Sequence, residues 1–188
     1  MNKSNIEILK NGGIGVMATD TIYGLVGSAL QEKAVKRITG PKQRAEGKGF
    51  ITLISSLDDL KIFGIELTDN VKNILNKFWP GQVSVEFKHD DPRFSYLRRP
   101  EGCSAFRWPN KKDLLETLKQ TGPLIAPSAN PAGLSPAKNI TEAKAYFGDT
   151  VDFYEDAGDL NSPPSTLVRI VNDKVEILRQ GVVIITEN

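Results

Sequence analysis

The chain has 188 residues, of which 39% are hydrophobic and 25% charged, a composition that excludes an intrinsically disordered protein and suffices for one sizeable core. Its net charge of +1 at pH 7 gives no overall attraction to nucleic acid, so any such contact needs a local basic patch. The single Cys103 excludes an internal disulfide, and without a membrane-length apolar run or signal-peptide core we expect one cytoplasmic domain over residues 1–188.

The first half of the chain alternates helical and strand patterns. Ser4 and Glu7 have the spacing of a capping box, which predicts a helix with Ser4 as its N-cap. Ala34 and Ile38 recur at helical spacing in the next helix. The predicted elements are a helix at residues 4–11, a strand at 14–18, a helix at 31–39, a buried strand at 50–54, and helices at 56–63 and 68–79.

The second half adds strands and ends in a hairpin, whose two-residue turn is Asn172-Asp173. Residues 83–87 alternate apolar and polar side chains, which is typical of a strand with one exposed face. The remaining predicted elements are strands at 104–107, 124–126, 151–154, 166–171 and 175–178, a helix at 111–120, and a helix at 141–147 capped by Thr141. The whole pattern predicts an α/β fold, with a mixed twisted β-sheet flanked by helices in a single domain.

The most basic stretch is residues 41–49, here called the basic segment. It carries Lys42, Arg44 and Lys48 within seven positions, and its glycines and Pro41 argue against a helix, so we expect a loop. Fixed cations at the edge of a sheet suit a polyphosphate, especially where water is partly excluded. The alternative from this stretch alone is a solvated basic surface loop.

Polar side chains stand at the ends of several predicted apolar strands. Thr21 belongs to Thr19-Asp20-Thr21, which is either a plain turn or a site for a small polar ligand. The others are Arg107, Ser128, Asn130, Ser165 and Arg179. Ligands of open α/β sheets bind outside strand ends. Cations, hydroxyls and an amide without a base suit the positioning and charge neutralisation of phosphoryl or nucleotidyl transfer.

Several common catalytic patterns are absent from the sequence. Gly47-Lys48-Gly49 lacks the upstream glycine and the hydroxyl residue of a P-loop, and no Gly-x-Gly-x-x-Gly follows a strand. His89 is the only histidine and is predicted to lie in a polar loop over residues 89–102. We therefore expect neither a histidine base nor a cluster of His and Cys metal ligands.

Two short motifs point to a known family. Lys42-Gln43-Arg44 and Ser128-Ala129-Asn130 resemble the Lys-x-Arg and Ser-x-Asn pairs of the YrdC/TsaC family, the threonylcarbamoyl-AMP synthases, in its short, single-domain form. Residues 19–25 are similar to the first signature of that family, and residues 79–81 and 178–181 follow in the family's order. The resemblance covers nearly the whole chain.

The resemblance implies an enzyme, a nucleotidyltransferase that makes threonylcarbamoyl-AMP and pyrophosphate from L-threonine, bicarbonate and ATP. The product serves the threonylcarbamoyladenosine modification of tRNA next to the anticodon. Other proteins of the threonylcarbamoyl-transfer pathway are the implied partners, and no membrane is involved. Mg²⁺ is expected to be held mainly through the ATP phosphates rather than by metal ligands of the protein.

The resemblance also assigns site residues in this sequence. Those for threonine are Thr21, Arg107 and Ser165. Those for ATP are Lys42, Arg44, Lys48, Ser128, Asn130, Ser135 and Arg179. Within the ATP set, the expected catalytic residues are Lys42, Arg44, Ser128 and Asn130. The basic segment is the expected lid.

Two functions of other classes remain open. One is a module that binds double-stranded RNA or tRNA through a basic face made of Arg93, Arg98, Arg99, Lys111 and Lys112. The other is an inactive scaffold of the tRNA-modification assembly. The intact Lys-x-Arg and Ser-x-Asn pairs argue against the scaffold, which would have no need of them.

Overall fold

A mixed β-sheet organises the chain in the computed structural model, which describes residues 1–42 and 49–186, and side chains for 1–40 and 49–186. The strands of this part are β1 (Ile14–Ala18), β2 (Tyr23–Ser28), β3 (Ile51–Leu53), β4 (Val83–Lys88), β5 (Cys103–Arg107), β6 (Leu124–Ile125), β7 (Phe153–Tyr154), β8 (Thr166–Val171) and β9 (Lys174–Arg179). Their order across the sheet is β7-β1-β2-β6-β3-β5-β4-β8-β9. The pairs β1–β7, β3–β5 and β4–β8 are parallel and the other neighbours antiparallel.

The helices lie on both faces of the sheet. The α-helices of the described residues are α1 (Lys3–Lys10), α2 (Glu32–Lys42), α3 (Asp69–Leu75), α4 (Lys112–Thr121) and α5 (Ile140–Phe147). Short 3-10 helices occupy Leu57–Phe63, Pro92–Leu97 and Gly148–Thr150. This arrangement confirms the predicted α/β fold with a mixed, helix-flanked sheet.

Strand β1 shows how the alternation of side chains divides the core into two layers. Val16 joins the larger hydrophobic cluster, which includes Ile38 of α2. Its neighbour Met17 points the other way, into a smaller cluster with Leu118 of α4. Because both faces of the sheet are covered, β1 is buried along its whole length, which explains why it reads as a continuous apolar run.

The residues that the sequence predicted as N-caps of α1 and α5 are both wrong. The N-cap of α1 is Asn2, whose side-chain oxygen accepts a backbone N–H at 2.8 Å, and Ser4 lies inside the first turn. The N-cap of α5 is Asn139, whose side chain accepts an N–H at 3.0 Å, and Thr141 is already helical. In each case an asparagine stands two residues upstream of the predicted cap, and asparagine caps at least as well as serine or threonine.

Helix α2 continues past its predicted end at residue 39. Its last residues are Gly40, Pro41 and Lys42, so the expectation of a loop from residue 41 onward is wrong for Pro41 and Lys42. The fixed φ of proline is compatible with a helix, and its missing N–H removes only one bond at the end of the element. Residues 43–48, the rest of the predicted loop, lie outside the described residues.

Strand β4 is buried on both faces, whereas the sequence predicted one exposed face. Ser84 and Glu86 are 0% and 2% exposed, as little as the apolar Val85 between them. Each of these two side chains has polar partners on a neighbouring segment: Glu86 lies opposite Arg169 of β8, and Ser84 contacts Arg107 of β5 and Ser165. They therefore face the interior.

The C-terminal hairpin, formed by β8 and β9, brings the end of β9 beside the start of β8. Asn172 and Asp173 have φ values of 50° and 60°, as a type I′ turn requires, which confirms the predicted turn. The hairpin pairs Arg179 with Leu167. Arg179 consequently lies beside Ser165, the residue that precedes β8.

His89 directly follows β4 and lies in the segment between that strand and the next 3-10 helix, as the predicted loop requires, but it is buried. It is 6% exposed, with Nε2 at 2.9 Å from the Ser104 hydroxyl and its ring edge toward Phe106. Burial, and after it the positive charge of Arg98, lower the pKa of His89 below 6.5, although nearby carboxylates act in the opposite direction. The folded protein therefore favours the neutral imidazole.

This burial predicts a loss of stability in mild acid. The unfolded chain takes up a proton at a higher pH than the native state, so the stabilisation is complete above pH 6.5 and declines as the pH falls toward the lowered native pKa. We expect the free energy of unfolding in urea to be smaller at about pH 5.5 than at about pH 7.5, with a shallower slope for His89→Gln. His89 is the single histidine of the chain, so an NMR titration can follow it directly. A native pKa above 6.5 would contradict the expectation.

Candidate functional site

A cavity of about 260 Å³, the central cavity, opens where several strand ends meet. Its wall contains five of the residues assigned from the sequence, Thr21, Arg107, Ser128, Ser165 and Arg179. They come from segments far apart in the chain, and the order β5-β4-β8-β9 brings three of those segments to one edge of the sheet. The structure thus places the threonine candidates and two ATP candidates in one wall.

Arg107 ends β5 and forms a buried ion pair with Asp20. Its Nη2 donates to Oδ1 of Asp20 at 2.8 Å, and the two side chains are 3% and 4% exposed. Burial lowers the pKa of Arg107, and the charge and hydrogen bond of Asp20 act against that shift. Nε of Arg107 and Oδ2 of Asp20 have no hydrogen-bond partner among the described residues, so both members retain binding capacity.

A chain of hydroxyl groups connects this ion pair to the start of β8. The antiparallel register of β4 and β5 sets Ser84 opposite Arg107, and Nη1 of Arg107 donates to the Ser84 hydroxyl at 3.3 Å. Oγ of Ser84 is 2.9 Å from Oγ of Ser165. All three side chains are buried, so this end of the cavity is polar but shielded from water.

Arg179 reaches the cavity from the end of β9. Its Nη2 donates to the carbonyl oxygen of Ser165 at 2.8 Å. Desolvation, and after it the positive charges of Arg107 and Arg99, lower the pKa of Arg179. An arginine stays protonated at neutral pH, so three guanidinium groups that repel one another line this cavity and favour an anion between them.

Ser128 follows β6 and is held against β2 by a backbone bridge to Gly24. Its hydroxyl donates to Oδ1 of Asn130 at 2.6 Å, and Nδ2 of Asn130 donates to the carbonyl oxygen of Leu134 at 2.7 Å. Asn130 therefore supports the wall through Ser128 and is not itself one of the described lining residues. Ser135 is exposed and is not one of the described lining residues, although its neighbour Pro136 is.

The three cations of the basic segment cannot be located from the described residues. Lys42 ends α2, but its side chain, Arg44 and Lys48 lie outside the described part, so their ATP contacts stay a prediction. The described chain resumes at Gly49, which lines the central cavity. The C-terminal end of the basic segment therefore borders the cavity.

A second cavity of about 480 Å³, the side cavity, shares Thr19 and Thr21 with the central one. Its wall includes Gln82 and Lys111, and both hold the strand tip. The amide of Gln82 donates to the carbonyl oxygen of Asp20, and Nζ of Lys111 donates to that of Thr19 at 3.1 Å. Residues 19–21 are thus a fixed partition between two cavities and not a plain surface turn.

The sequence interpretation missed Ser84, which it assigned to a half-exposed strand, and Arg99, which it assigned to a possible RNA-binding face. It gave the stretch that contains Asp20 as either a turn or a ligand site, but it assigned no role to Asp20 itself. Arg99 instead lines the central cavity. Asp20 could have been identified as Thr21 was, because both are polar residues directly after an apolar strand. For Ser84 the signal was a polar side chain within an apolar strand.

The described residues offer no ready-made metal site. Among residues 1–42 and 49–186, no three His, Cys, Asp or Glu side chains are grouped so that they could hold a metal ion. The two carboxylates nearest the cavity, Asp20 and Glu86, are paired with arginines. Within the same described part, no helix has the length and apolar character to span a membrane.

Comparison with known proteins gives consistent matches along the chain. The family model Sua5/YciO/YrdC, described as telomere recombination, matches residues 7–181. The threonylcarbamoyl-AMP synthase of Klebsiella pneumoniae is 29% identical over 181 residues, which cover 94% of this chain and 93% of that protein. The threonylcarbamoyl-AMP synthase of Enterobacter sp. (strain 638) is 31% identical over 147 residues, 77% of each protein.

Solved structures share the fold. P. abyssi Sua5 complexed with L-threonine matches with a TM-score of 0.85 and 25% identity over 95% of this chain. The match covers 53% of the Sua5 chain, so this chain spans about half the length of that protein. E. coli YciO matches with a TM-score of 0.84 and 22% identity, covering 95% of this chain and 88% of YciO. Both confirm the predicted sheet architecture.

The buried ion pair predicts a large effect of neutralising one partner. Asp20→Asn leaves the Arg107 charge buried without its counter-ion, and we expect the free energy of unfolding to fall by about 3–5 kcal/mol in urea denaturation. Asp69→Asn breaks the exposed pair with Lys72 and is the matched control, for which we expect little change. Equal stability of Asp20→Asn and the unmodified protein would show that the pair is not required for folding.

Proposed function

The chain belongs to the Sua5/YciO/YrdC family, and on that premise we propose that it is a threonylcarbamoyl-AMP synthase. The enzyme forms threonylcarbamoyl-AMP and pyrophosphate from L-threonine, bicarbonate and ATP. The observation that carries the proposal is the convergence of Thr21, Arg107, Ser165, Ser128 and Arg179 on one cavity. The same five residues stand out both as polar side chains at strand ends and by the family resemblance, and their common cavity is consistent with both.

The buried end of the cavity suits an amino acid. Arg107 is the natural partner of the threonine carboxylate, because two of its N–H donors are engaged by Asp20 and Ser84 and others remain. The Arg107–Asp20 pair has no net charge, which fits a zwitterion better than a multiply charged anion. Thr21 and Ser165 add hydroxyl groups at the same end, where the threonine hydroxyl can find a polar partner.

The other side of the cavity suits the nucleotide. Ser128 and Arg179 line it, and Gly49 marks where the basic segment with Lys42, Arg44 and Lys48 joins the wall. Guanidinium and ammonium groups stabilise the charge that grows on departing pyrophosphate. Mg²⁺ belongs to the proposal as an ion bound mainly by the ATP phosphates, since no three His, Cys, Asp or Glu side chains of the described residues are grouped to hold it.

The chemistry has two bond-forming steps that this site must organise. The threonine amine takes up carbon from bicarbonate with loss of water, and an oxygen of the resulting carbamate attacks the α-phosphorus of ATP as pyrophosphate leaves. Both reactants of the second step are anions, so cations between them lower the repulsion. The carbamate is unstable in water, and the buried hydroxyl-lined end of the cavity supplies a partly dry environment.

Transfer to tRNA in the cytoplasm by other proteins of the pathway completes the proposal. A direct RNA-binding role is not favoured by the described contacts. Arg99 lines the cavity, Lys111 holds the strand tip, and Arg93 is paired with Asp91 at 2.6 Å. Much of the basic face considered from the sequence is therefore engaged elsewhere.

The decisive experiment is incubation of the purified protein with ATP, Mg²⁺, labelled bicarbonate and L-threonine. We expect labelled threonylcarbamoyl-AMP, with pyrophosphate released in equal amount. Lys42→Ala should abolish product while leaving any tRNA affinity nearly unchanged, because one phosphate contact among several is lost. Absence of product from the unmodified protein at every Mg²⁺ concentration would refute the proposal.

The polar pocket predicts the order of amino-acid preference. Serine lacks one methyl group, and we expect its kcat/KM to be about 10–200-fold below that of threonine. Valine replaces the hydroxyl with a methyl and leaves buried polar groups unpaired, so its penalty should be larger. Kinetics of pyrophosphate release with each amino acid measure the order, and equal rates with valine and threonine would contradict a polar pocket at Thr21.

A further inference from the structure

Arg99 occupies a fixed position in the wall of the central cavity. It follows the 3-10 helix Pro92–Leu97 and precedes β5. Its backbone N–H donates to the carbonyl oxygen of Cys103 at 2.9 Å, and its own carbonyl oxygen accepts from Gly102 at the same distance. The positive φ of 78° at Gly102 allows this tight turn. The backbone of Arg99 is thereby tied to the start of a central strand.

The side chain of Arg99 is held by a buried carboxylate. Nη1 of Arg99 lies 2.8 Å from Oε1 of Glu86, whose side chain is 0% exposed. The other carboxylate oxygen of Glu86 lies 2.6 Å from Nη2 of Arg169. One negative charge is shared by two guanidinium groups, so the cluster keeps an excess of positive charge. Arg99 is 31% exposed, and of these three residues it is the one that lines the cavity.

Arg99 also contacts the end of the basic segment. A Cβ built on Gly49 would lie 2.7 Å from Cγ of Arg99, closer than Cβ atoms approach their neighbours. A side chain at residue 49 would therefore require Arg99 to move. Arg99 is therefore at the side of the cavity where Lys48 precedes Gly49, whereas the Arg107–Asp20 pair is at the buried, hydroxyl-lined end.

From this placement we propose that Arg99 is a further substrate-binding residue, which contacts the polyphosphate of the nucleotide and is oriented by Glu86. The inference rests on the proposed function, because it assigns Arg99 to the nucleotide used there. A polyphosphate matches the excess positive charge of the cluster, whereas the threonine carboxylate is matched by the neutral pair at the other end. Glu86 is a positioning residue, since its carboxylate is buried behind Arg99.

The adjacent Arg98 provides a matched control. Arg98 and Arg99 are both partly buried, but Nη1 of Arg98 donates to the carbonyl oxygen of His89 and the side chain does not line the cavity. Arg98→Gln removes one positive charge, as Arg99→Gln does, but at the neighbouring position. A general effect of protein charge would therefore appear in both variants, and a direct phosphate contact only in Arg99→Gln.

Calorimetric titration with ATP, AMP and inorganic pyrophosphate tests the inference. For Arg99→Gln we expect ATP and pyrophosphate to bind about 10–100-fold more weakly, because a charge-assisted contact is lost. AMP affinity should change by less than about twofold, since AMP lacks the β- and γ-phosphates. Arg98→Gln should match the unmodified protein with all three ligands, and Arg99→Lys, which keeps the charge, should recover part of the loss.

Each outcome decides a separate point. Unchanged ATP and pyrophosphate affinity in a folded Arg99→Gln overturns the inference and leaves the proposed function intact. Equal losses for Arg98→Gln and Arg99→Gln, or equal losses for AMP and ATP, overturn it as well. If the unmodified protein binds pyrophosphate but forms no adenylate, the proposed function fails while the comparison of variants still tests Arg99. If Arg99→Gln does not fold, Arg99→Lys is used, and it must weaken pyrophosphate binding relative to Arg98→Lys.

Discussion

The buried ion pair between Arg107 and Asp20 is the interaction on which the site depends. Two charges taken out of water are costly to desolvate, and their separation of 2.8 Å and the Ser84 hydroxyl at Arg107 offset part of that cost. Through Ser84 the pair also reaches Ser165. Three buried contacts in series thus join the tip after β1 to the end of β5 and the start of β8, and they shape the part of the cavity proposed for threonine.

The carboxylates near the cavity serve mainly to hold arginines. Asp20 pairs with Arg107, and Glu86 pairs with both Arg99 and Arg169. These pairs and Arg179 together contain four arginines and two carboxylates. The cavity wall and the residues behind it therefore carry an excess of positive charge. That balance suits anionic substrates and explains why the proposed chemistry relies on neutralisation and positioning. A site built around a protein-bound metal would instead leave its carboxylates available.

The sequence interpretation failed where a polar residue in a strand had two possible explanations. The alternation at residues 83–87 predicted a solvent face, yet Ser84 and Glu86 are buried. Period-two alternation reports only that the two faces of a strand differ. Whether the polar face meets water or a buried cluster of arginines depends on which strands flank it, and β4 lies between β5 and β8. Arg99 was assigned to an RNA-binding face for a related reason, because its partner Glu86 is distant in the chain.

Local patterns were enough to determine the α/β class, most element positions, the two-residue hairpin turn at Asn172-Asp173 and the polar strand ends, because each depends on neighbouring residues in the chain. The family resemblance added the substrates and the proposed role of each polar residue at a strand end. The tertiary structure alone decided the sheet order, the Arg107–Asp20 pair and the place of Arg99 in the cavity. These depend on contacts between segments distant in the chain, which no local periodicity encodes.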